Sequence, residues 1–232
     1  MEKLENILKK SSKYNRILIV TDSVFSMDGD LAPLPDLVKI TAKYNAMLMV
    51  DEAHGTGVFG QNGRGVVEHF NLCKEVDIIM GTLSKAIGSL GGYVSGDIEL
   101  ISYLRNKARS FMYTTALPPA VCAASIAGIK LIQEDPSMRV SLWHNVRFIK
   151  DKLRSLNINT ISSESQIIPI LIGDTKKAVN ISKLLYKSGI LIPAIRPPTV
   201  PVTTSRLRMT GMSSHTQEDL KRLIQVLNDI LD

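Results

Sequence analysis

Three apolar runs, each ending at a polar residue, constrain the fold of this chain more than any other feature. They are RILIVTD (16–22), AMLMVD (46–51) and VDIIMGT (76–82), and segments with helical character separate them. Each run has the length of a buried strand. Strands that alternate with helices form βαβ units around a parallel sheet. The sequence therefore predicts an α/β fold, with YVSG (93–96) as a fourth strand.

The pattern changes in the second half of the chain. A helix over 97–109, with Asp97 as its N-terminal cap, and an Ala-rich helix over 118–133 are followed by a long helix over 137–156. Short strand-like runs then alternate with helices, which is typical of an α+β domain. These runs are QIIPILIG, GILIPAI and SRLRMTG. We therefore predict a partial large domain at 1–140 and a small C-terminal domain at 141–232.

Composition excludes several classes of protein. Hydrophobic residues make up 44% and charged residues 22%, as in ordinary soluble proteins. The apolar runs are strand-sized, far below the roughly 20 residues of a membrane helix. Cys73 and Cys122 are too few for a disulfide framework. Lys and Arg are scattered and aromatics are 5%, which argues against nucleic-acid binding despite a net charge of +6. We predict a cytoplasmic, reduced protein.

The stretch GTLSKAIGSLGGYVSG (81–96) places Lys85 among small residues. A lysine amine forms imines with carbonyl compounds once it is desolvated or deprotonated. Asp51 ends a strand that looks buried, where a carboxylate needs a partner. A protonated pyridine nitrogen is a suitable partner, and His54 could bind a ring oxygen. A surface lysine and a structural loop histidine are the alternative interpretations.

The letters VDEAH also occur in helicases, where they follow a strand and hold Mg²⁺. That interpretation requires a phosphate loop of the form G-x-x-x-x-G-K-[ST], which this sequence lacks. A metal site is not predicted either, because the four histidines have no ligand spacing. They are His54, His69, His144 and His215.

Arg206 and Arg208 alternate on a predicted strand, so their side chains are expected on one face. An arginine in a cleft suits bidentate binding of a carboxylate. Prolines 197, 198 and 201 stiffen the preceding loop, as in a substrate lid. The alternative is a pair of solvent-exposed arginines on an edge strand.

Five segments together resemble the α-oxoamine synthases, fold-type-I enzymes that depend on pyridoxal 5′-phosphate (PLP). They are TDSVFSMDGDLAPL, LMVDEAHGTGVFGQNGRG, GTLSKAIGSLGGY, FMYTTALPPA and RPPTVPVTTSRLRMTGMSSHT, and they extend over most of the chain from residue 17 on. The resemblance implies part of the fold-type-I large domain, a mainly parallel sheet with helices on both faces. It also implies a small C-terminal α+β domain and a homodimer.

The resemblance assigns roles to residues of the first half. Lys85 would form the imine with PLP and later move the substrate's α-proton. Asp51 would pair with the pyridine nitrogen, His54 would bind the phenolic oxygen, and Ala53 would pack on one face of the ring.

Further roles follow from the same resemblance. Ser26 and Thr82 would contact the cofactor, Thr82 at its phosphate, and Thr114 and Thr115 would reach the phosphate of the other subunit. The remaining two assignments concern the substrates. Arg208 would bind the amino-acid carboxylate, and Thr199 would lie near the acyl substrate.

The segments AIRPPTVP and SRLRMT most resemble the branch of the family that serves biotin biosynthesis. That branch condenses L-alanine with a pimeloyl thioester, carried on CoA or on a carrier protein. One alternative is glycine C-acetyltransferase, which uses glycine and acetyl-CoA. The other is a non-catalytic fragment or subunit of such an enzyme.

Members of the family carry a long segment before the SMDGD strand, whereas this chain begins almost at that strand. That segment would include the histidine that stacks on the cofactor's other face and a glycine-rich turn at the phosphate. We therefore expect a chain equivalent to the C-terminal two-thirds, with weak or no synthase activity alone. A second departure is Ser84, where many relatives have glycine.

Overall fold

The computed structural model describes residues 1–231, and the chain divides into two compact units. The first unit comprises Met1–Val24 and Ala32–Pro136. The second comprises Phe25–Leu31 and the chain from Ser137 onward. The loop between the first strand and the second helix therefore belongs with the C-terminal half of the chain.

The first unit is built on a four-stranded sheet with the order β1-β2-β3-β4. Its elements are α1 (Glu2–Lys9), β1 (Leu18–Asp22), α2 (Leu34–Lys43), β2 (Met47–Asp51), α3 (Val66–His69), β3 (Ile78–Thr82), β4 (Gly92–Gly96), α4 (Ile98–Lys107), α5 (Arg109–Met112) and α6 (Pro119–Glu134). Strands β1, β2 and β3 are parallel, which confirms the predicted α/β class. Strand β4 is antiparallel to β3, because the connection 83–91 contains no crossover helix.

The two faces of this sheet are buried to different degrees. Leu48 and Val50 are fully buried, as are residues of α2 such as Leu34. On the opposite face Leu18 is 46% exposed and Val20 is 59% exposed. Alternation of buried and exposed residues along β1 and β2 reflects the two-residue period of a strand.

The predicted cap of α4 is corrected by the structure. Asp97 occupies the N-cap position, but its side chain forms no capping hydrogen bond. The helix begins at an exposed surface, where water can satisfy its first N–H groups. By contrast, the Asp174 side chain does cap its helix, since it accepts a hydrogen bond from the Lys177 N–H at 2.7 Å.

The second unit holds a three-stranded antiparallel sheet with the order β5-β7-β6. Its elements are α7 (Ser137–Ser155), β5 (Ile167–Gly173), α8 (Thr175–Lys187), β6 (Ala194–Ile195), β7 (Ser205–Thr210) and α9 (Gln217–Leu231). The strand predicted from GILIPAI is reduced to Ala194–Ile195, because Pro193 has no N–H to donate to a ladder. Ile167, Ile168 and Leu207 are fully buried and form the centre of this core.

No helix within residues 1–231 has the length and apolar character needed to cross a membrane. In the same part of the chain, His, Cys, Asp and Glu side chains form no group of three or more that could hold a metal ion.

Candidate active site

Lys85 lies in the loop that connects β3 to β4, and its side chain is exposed. Backbone hydrogen bonds fix the loop at both ends: Leu83 N donates to Gly91 O at 2.9 Å, and Ser89 N donates to Leu83 O at 2.8 Å. A turn follows the lysine, with Gly88 N donating to Lys85 O at 3.0 Å. The lysine is therefore presented to solvent from an ordered backbone.

Helix α6 supports this loop from outside. The Ser125 hydroxyl donates to Ser89 Oγ at 2.8 Å, and the Ser89 hydroxyl donates to Val121 O at 3.0 Å. The helix comes so close that a Cβ at Gly128 would lie 2.7 Å from Ile87 O. Only a glycine fits at this position, so the small residues of α6 serve close packing against the lysine loop.

The glycine-rich segment after β2 also packs on the lysine loop. Gly57 has a φ of +79°, and a Cβ there would lie 2.7 Å from the Ala86 Cβ. Both the backbone conformation and the contact require glycine. The sequence GTG (55–57) thus brings the exit of β2 against the residue that follows Lys85.

Asp51 is the last residue of β2, and its carboxylate is half-buried. Its Oδ1 accepts a hydrogen bond from Ala53 N at 2.8 Å. Its Oδ2 forms no hydrogen bond within residues 1–231 and can accept one from a ligand. His54 and Ala53 follow in the next turn and are also partly exposed. The predicted ring-binding residues therefore share one strand exit.

Glu52 is a buried position beside the candidate site that the sequence analysis missed. This carboxylate is fully buried and accepts hydrogen bonds from the Ser23 hydroxyl and from Val67 N, both at 2.7 Å. Burial raises the pKa of Glu52. A Cβ at Gly55 or Gly65 would collide with its side chain. Glu52 therefore joins the exits of β1 and β2 to the glycine-rich segment, and these two glycines are the signal for it.

Tyr93 on β4 contacts both β3 and the glycine-rich segment after β2. Tyr93 pairs in register with Gly81, where a Cβ would lie 2.6 Å from the tyrosine hydroxyl. That hydroxyl is 2.6 Å from Thr56 Oγ1, and burial raises the pKa of Tyr93. The hydrogen bond holds Thr56 of the GTG segment against β4.

Thr82, the predicted phosphate ligand, forms a hydroxyl pair with Ser84. Their oxygens are 2.7 Å apart, Thr82 Oγ1 donates to Gly91 O at 3.1 Å, and Ser84 N donates to Thr82 Oγ1 at 3.2 Å. Ser84 is exposed. The end of β3 therefore offers two hydroxyl groups to a phosphate, those of Thr82 and Ser84, whereas only Thr82 was predicted.

Asp22 also belongs to this end of the sheet. It pairs in register with Asp51. Burial of Asp22 raises the pKa of its carboxyl, and the negative charge of Asp51 raises it further. Lys85 acts in the opposite direction and lowers the pKa of Asp22. Asp22 therefore interacts electrostatically with both Asp51, its register partner, and Lys85.

The other predicted residues of the first unit do not join this group. Thr114 and Thr115 lie in the exposed segment between α5 and α6. Neither forms a side-chain hydrogen bond within the described part of the chain. Their predicted contact with another subunit stays a prediction.

Ser26, Thr199 and Arg208 belong to the second unit. Arg208 Nε donates to Ser26 O at 2.6 Å, so these two lie together, whereas Thr199 is exposed in the proline-rich loop. Arg206 is 4% exposed and forms an ion pair with Asp28. Both arginines thus contact the loop 25–31, as expected for one face of β7.

The edge-strand interpretation of these arginines is wrong. β7 is the central strand of its sheet, with β5 and β6 on its two sides. Burial lowers the pKa of both guanidinium groups, Arg206 and Arg208. Arg208 also lines a cavity of about 470 Å³ in this unit. Apolar side chains, including Ile192, Met209 and Leu223, form much of its wall.

The groups at the sheet end of the first unit match the needs of an aldehyde cofactor with a pyridine ring and a phosphate. Lys85 supplies an amine without a hydrogen bond to any described residue. Asp51 supplies a free carboxylate oxygen for a ring N–H, and Thr82 and Ser84 supply hydroxyls for a phosphate. The donor set therefore fits such a cofactor.

Comparisons with known proteins agree with this geometry. The family described as aminotransferase class I and II matches residues 1–227. The chain is 49% identical over 227 residues to 8-amino-7-oxononanoate synthase 1 of Bacillus velezensis, covering 98% of this chain and 58% of that protein. The chain thus spans less than two-thirds of the length of this curated relative.

Solved structures share the fold. A structure of SPT with PLP superposes with a TM-score of 0.95 at 32% identity, covering 99% of this chain and 58% of the other. A crystal structure of 8-amino-7-oxononanoate synthase from Francisella tularensis gives a TM-score of 0.82 at 28% identity. That match covers 98% of this chain and 67% of the other.

Proposed function

The chain belongs to the aminotransferase class I and II family, and we propose that it carries the active site of a PLP-dependent acyltransferase. The proposed product is 8-amino-7-oxononanoate, the compound in the name of the Bacillus velezensis relative. The proposed substrates are L-alanine and a pimeloyl thioester. The single observation that carries this proposal is the grouping of Lys85, Asp51 and Asp22 at one end of the sheet.

When bound, PLP supplies a protonated ring that accepts the electron pair left at the amino acid's α-carbon. Lys85 would hold the cofactor through its amine. With alanine bound, the Lys85 amine would serve as the base that accepts the α-proton. The backbone hydrogen bonds of the loop around Lys85 would help to keep this amine near its target, which lowers the entropic cost of the transfer.

Asp51 keeps the ring nitrogen protonated through its unbonded Oδ2. His54 binds the phenolic oxygen, Ala53 packs on the ring, and the hydroxyls of Thr82 and Ser84 bind the phosphate. These groups would orient the cofactor. None of them changes its covalent bonds during the reaction.

The reaction balances without an external oxidant or reductant. A bond forms between the α-carbon of alanine and the thioester carbonyl carbon, and the thiol leaves with a proton. The alanine carboxylate then leaves as CO₂, and a proton returns to the α-carbon. Lys85 is the group proposed to move both α-protons.

Arg208 is proposed to bind the alanine carboxylate, since a guanidinium can donate two parallel hydrogen bonds to it. The partly buried guanidinium lines a cavity with apolar walls, which suits a carboxylate on a small apolar body. Ser26 is proposed to contact the cofactor and Thr199 the acyl chain. Thr114 and Thr115 are proposed to reach the phosphate of a second subunit in a cytoplasmic homodimer.

Proton exchange tests this proposal without the acyl donor. The PLP-loaded protein in D₂O should replace the α-proton of L-alanine with deuterium, followed by proton NMR, and faster than that of glycine or L-serine. Lys85→Ala should abolish the exchange, and Lys74→Ala, an exposed lysine of the same unit, should retain it. Equal exchange in Lys85→Ala would contradict the proposed role, and a preference for glycine would favour the acetyltransferase alternative.

A further inference from the structure

Asp22 and Asp51 end two neighbouring parallel strands at the same level. They are register partners at the last position of β1 and β2. Residues paired in this way project from the same face of the sheet, about 4.8 Å apart at the backbone. The hydrogen bond from Ser23 N to Asp51 O at 2.9 Å continues the ladder past Asp22. The geometry therefore places two carboxylates side by side.

The two carboxylates differ in their hydrogen bonds. Asp51 Oδ1 accepts a backbone N–H at 2.8 Å. The Asp22 carboxylate has no hydrogen bond within residues 1–231. Asp51 and Lys85 are the charged groups that act on it, with opposite effects.

We propose that Asp22 is a positioning residue of the cofactor site, which acts through Asp51 to hold a proton on the ring nitrogen. Its negative charge adds to that of Asp51 at the end of the sheet. The inference deepens the proposed function and rests on it, because it assigns Asp22 a role toward the same cofactor. Ring protonation is then set by a carboxylate pair rather than by one aspartate.

The proposal has a measurable electrostatic consequence. Removal of one negative charge within about 10 Å lowers the pKa of a nearby protonated nitrogen by roughly 0.3 to 1 unit, at effective dielectric constants between those of a protein surface and water. The imine between PLP and Lys85 changes its visible absorbance when it loses its proton. Its titration therefore reports the charge of Asp22.

The first test needs no cofactor. Carbon-13 NMR of the side-chain carboxyl follows the titration of Asp22 in the wild-type protein and in Asp51→Asn. If the two carboxylates form a pair, Asp22 titrates at lower pH in Asp51→Asn. An unchanged titration of Asp22 would overturn the pair, whatever the protein does with PLP.

The second test titrates the visible absorbance of the PLP-loaded protein from neutral to alkaline pH. Asp22→Asn should lose the imine proton at lower pH, and Asp22→Glu should behave like wild type. Asp36→Asn removes an equal charge from an exposed site on α2 and should have no effect. Identical titrations of Asp22→Asn and Asp36→Asn would overturn the inference alone. A wild-type protein that forms no imine would overturn the proposed function as well.

Discussion

The sheets of the two units protect their apolar residues differently. In the first unit Leu48 and Val50 are fully buried, but Val20 on the neighbouring strand is 59% exposed. In the second unit Ile167 and Leu207 are both fully buried. The candidate cofactor residues lie on the less buried sheet. Access for a ligand and complete burial are opposed requirements, and the first sheet favours access at its strand ends.

The largest expected effect compares a leucine from each sheet. Leu207→Ala in β7 leaves a cavity in a packed core and should lower the free energy of unfolding by about 3 kcal/mol. Leu18→Ala in β1 should cost less than about 1 kcal/mol, since that side chain is 46% exposed. Urea unfolding followed by circular dichroism measures both. Equal losses would show that the first sheet is covered in solution.

A smaller effect is expected at the buried arginine of β7. Asp28→Ala removes the ionic partner of Arg206, which is 4% exposed, and should lower the free energy of unfolding by about 2 kcal/mol. The matched control is Asp151→Ala, whose partner Arg154 is exposed and whose loss should cost less than about 0.5 kcal/mol. If the two variants are equally stable, the Arg206 pair contributes no more than a surface pair.

The smallest effect concerns the pH dependence caused by Glu52. Burial raises the pKa of Glu52, so the native protein holds this proton more tightly than the unfolded chain does. The proton on Glu52 contributes its full share to the free energy of unfolding at pH values below the carboxyl pKa of the unfolded chain. That contribution is lost as the pH rises through the pKa of Glu52 in the folded protein. Between these two pKa values, the free energy of unfolding of Glu52→Gln should therefore fall less with rising pH than that of the wild-type protein.

Urea unfolding at a series of pH values checks this, with the exposed Glu99→Gln as the control. Each unit of difference between the two pKa values corresponds to about 1.4 kcal/mol. A pH dependence that is the same in Glu52→Gln, Glu99→Gln and wild type would show that Glu52 titrates as an exposed carboxyl does.

The sequence predicted the strands that carry the site, because apolar runs that end at Asp22 and Asp51 specify both the strands and their ends. It also singled out Lys85, since its amine could form an imine and Asp51, at the end of a strand, could pair with the pyridine nitrogen of the same cofactor. The helix α5 was missed, because four residues are too short to show a helical period. The antiparallel direction of β4 depends on the loop after Thr82, whose path no local pattern reveals.

Pairing across strands could not be predicted. The match between Asp22 and Asp51 depends on how two strands align in the folded sheet. Glu52 was read only as a letter of the VDEAH motif, because its burial becomes visible when Ser23 and Val67 are brought to it. The central position of β7 likewise could not be predicted, because it depends on the order of the strands in the sheet and not on the sequence of β7 itself.

Borohydride trapping tests the central claim most directly. The purified protein is mixed with PLP, reduced, digested and mapped by mass spectrometry. We predict a single pyridoxyl group on the peptide that contains Lys85, absent in Lys85→Ala and retained in Lys74→Ala. A folded protein that takes up the label on other lysines alone, or takes up none, would contradict the assignment of this loop as the cofactor site.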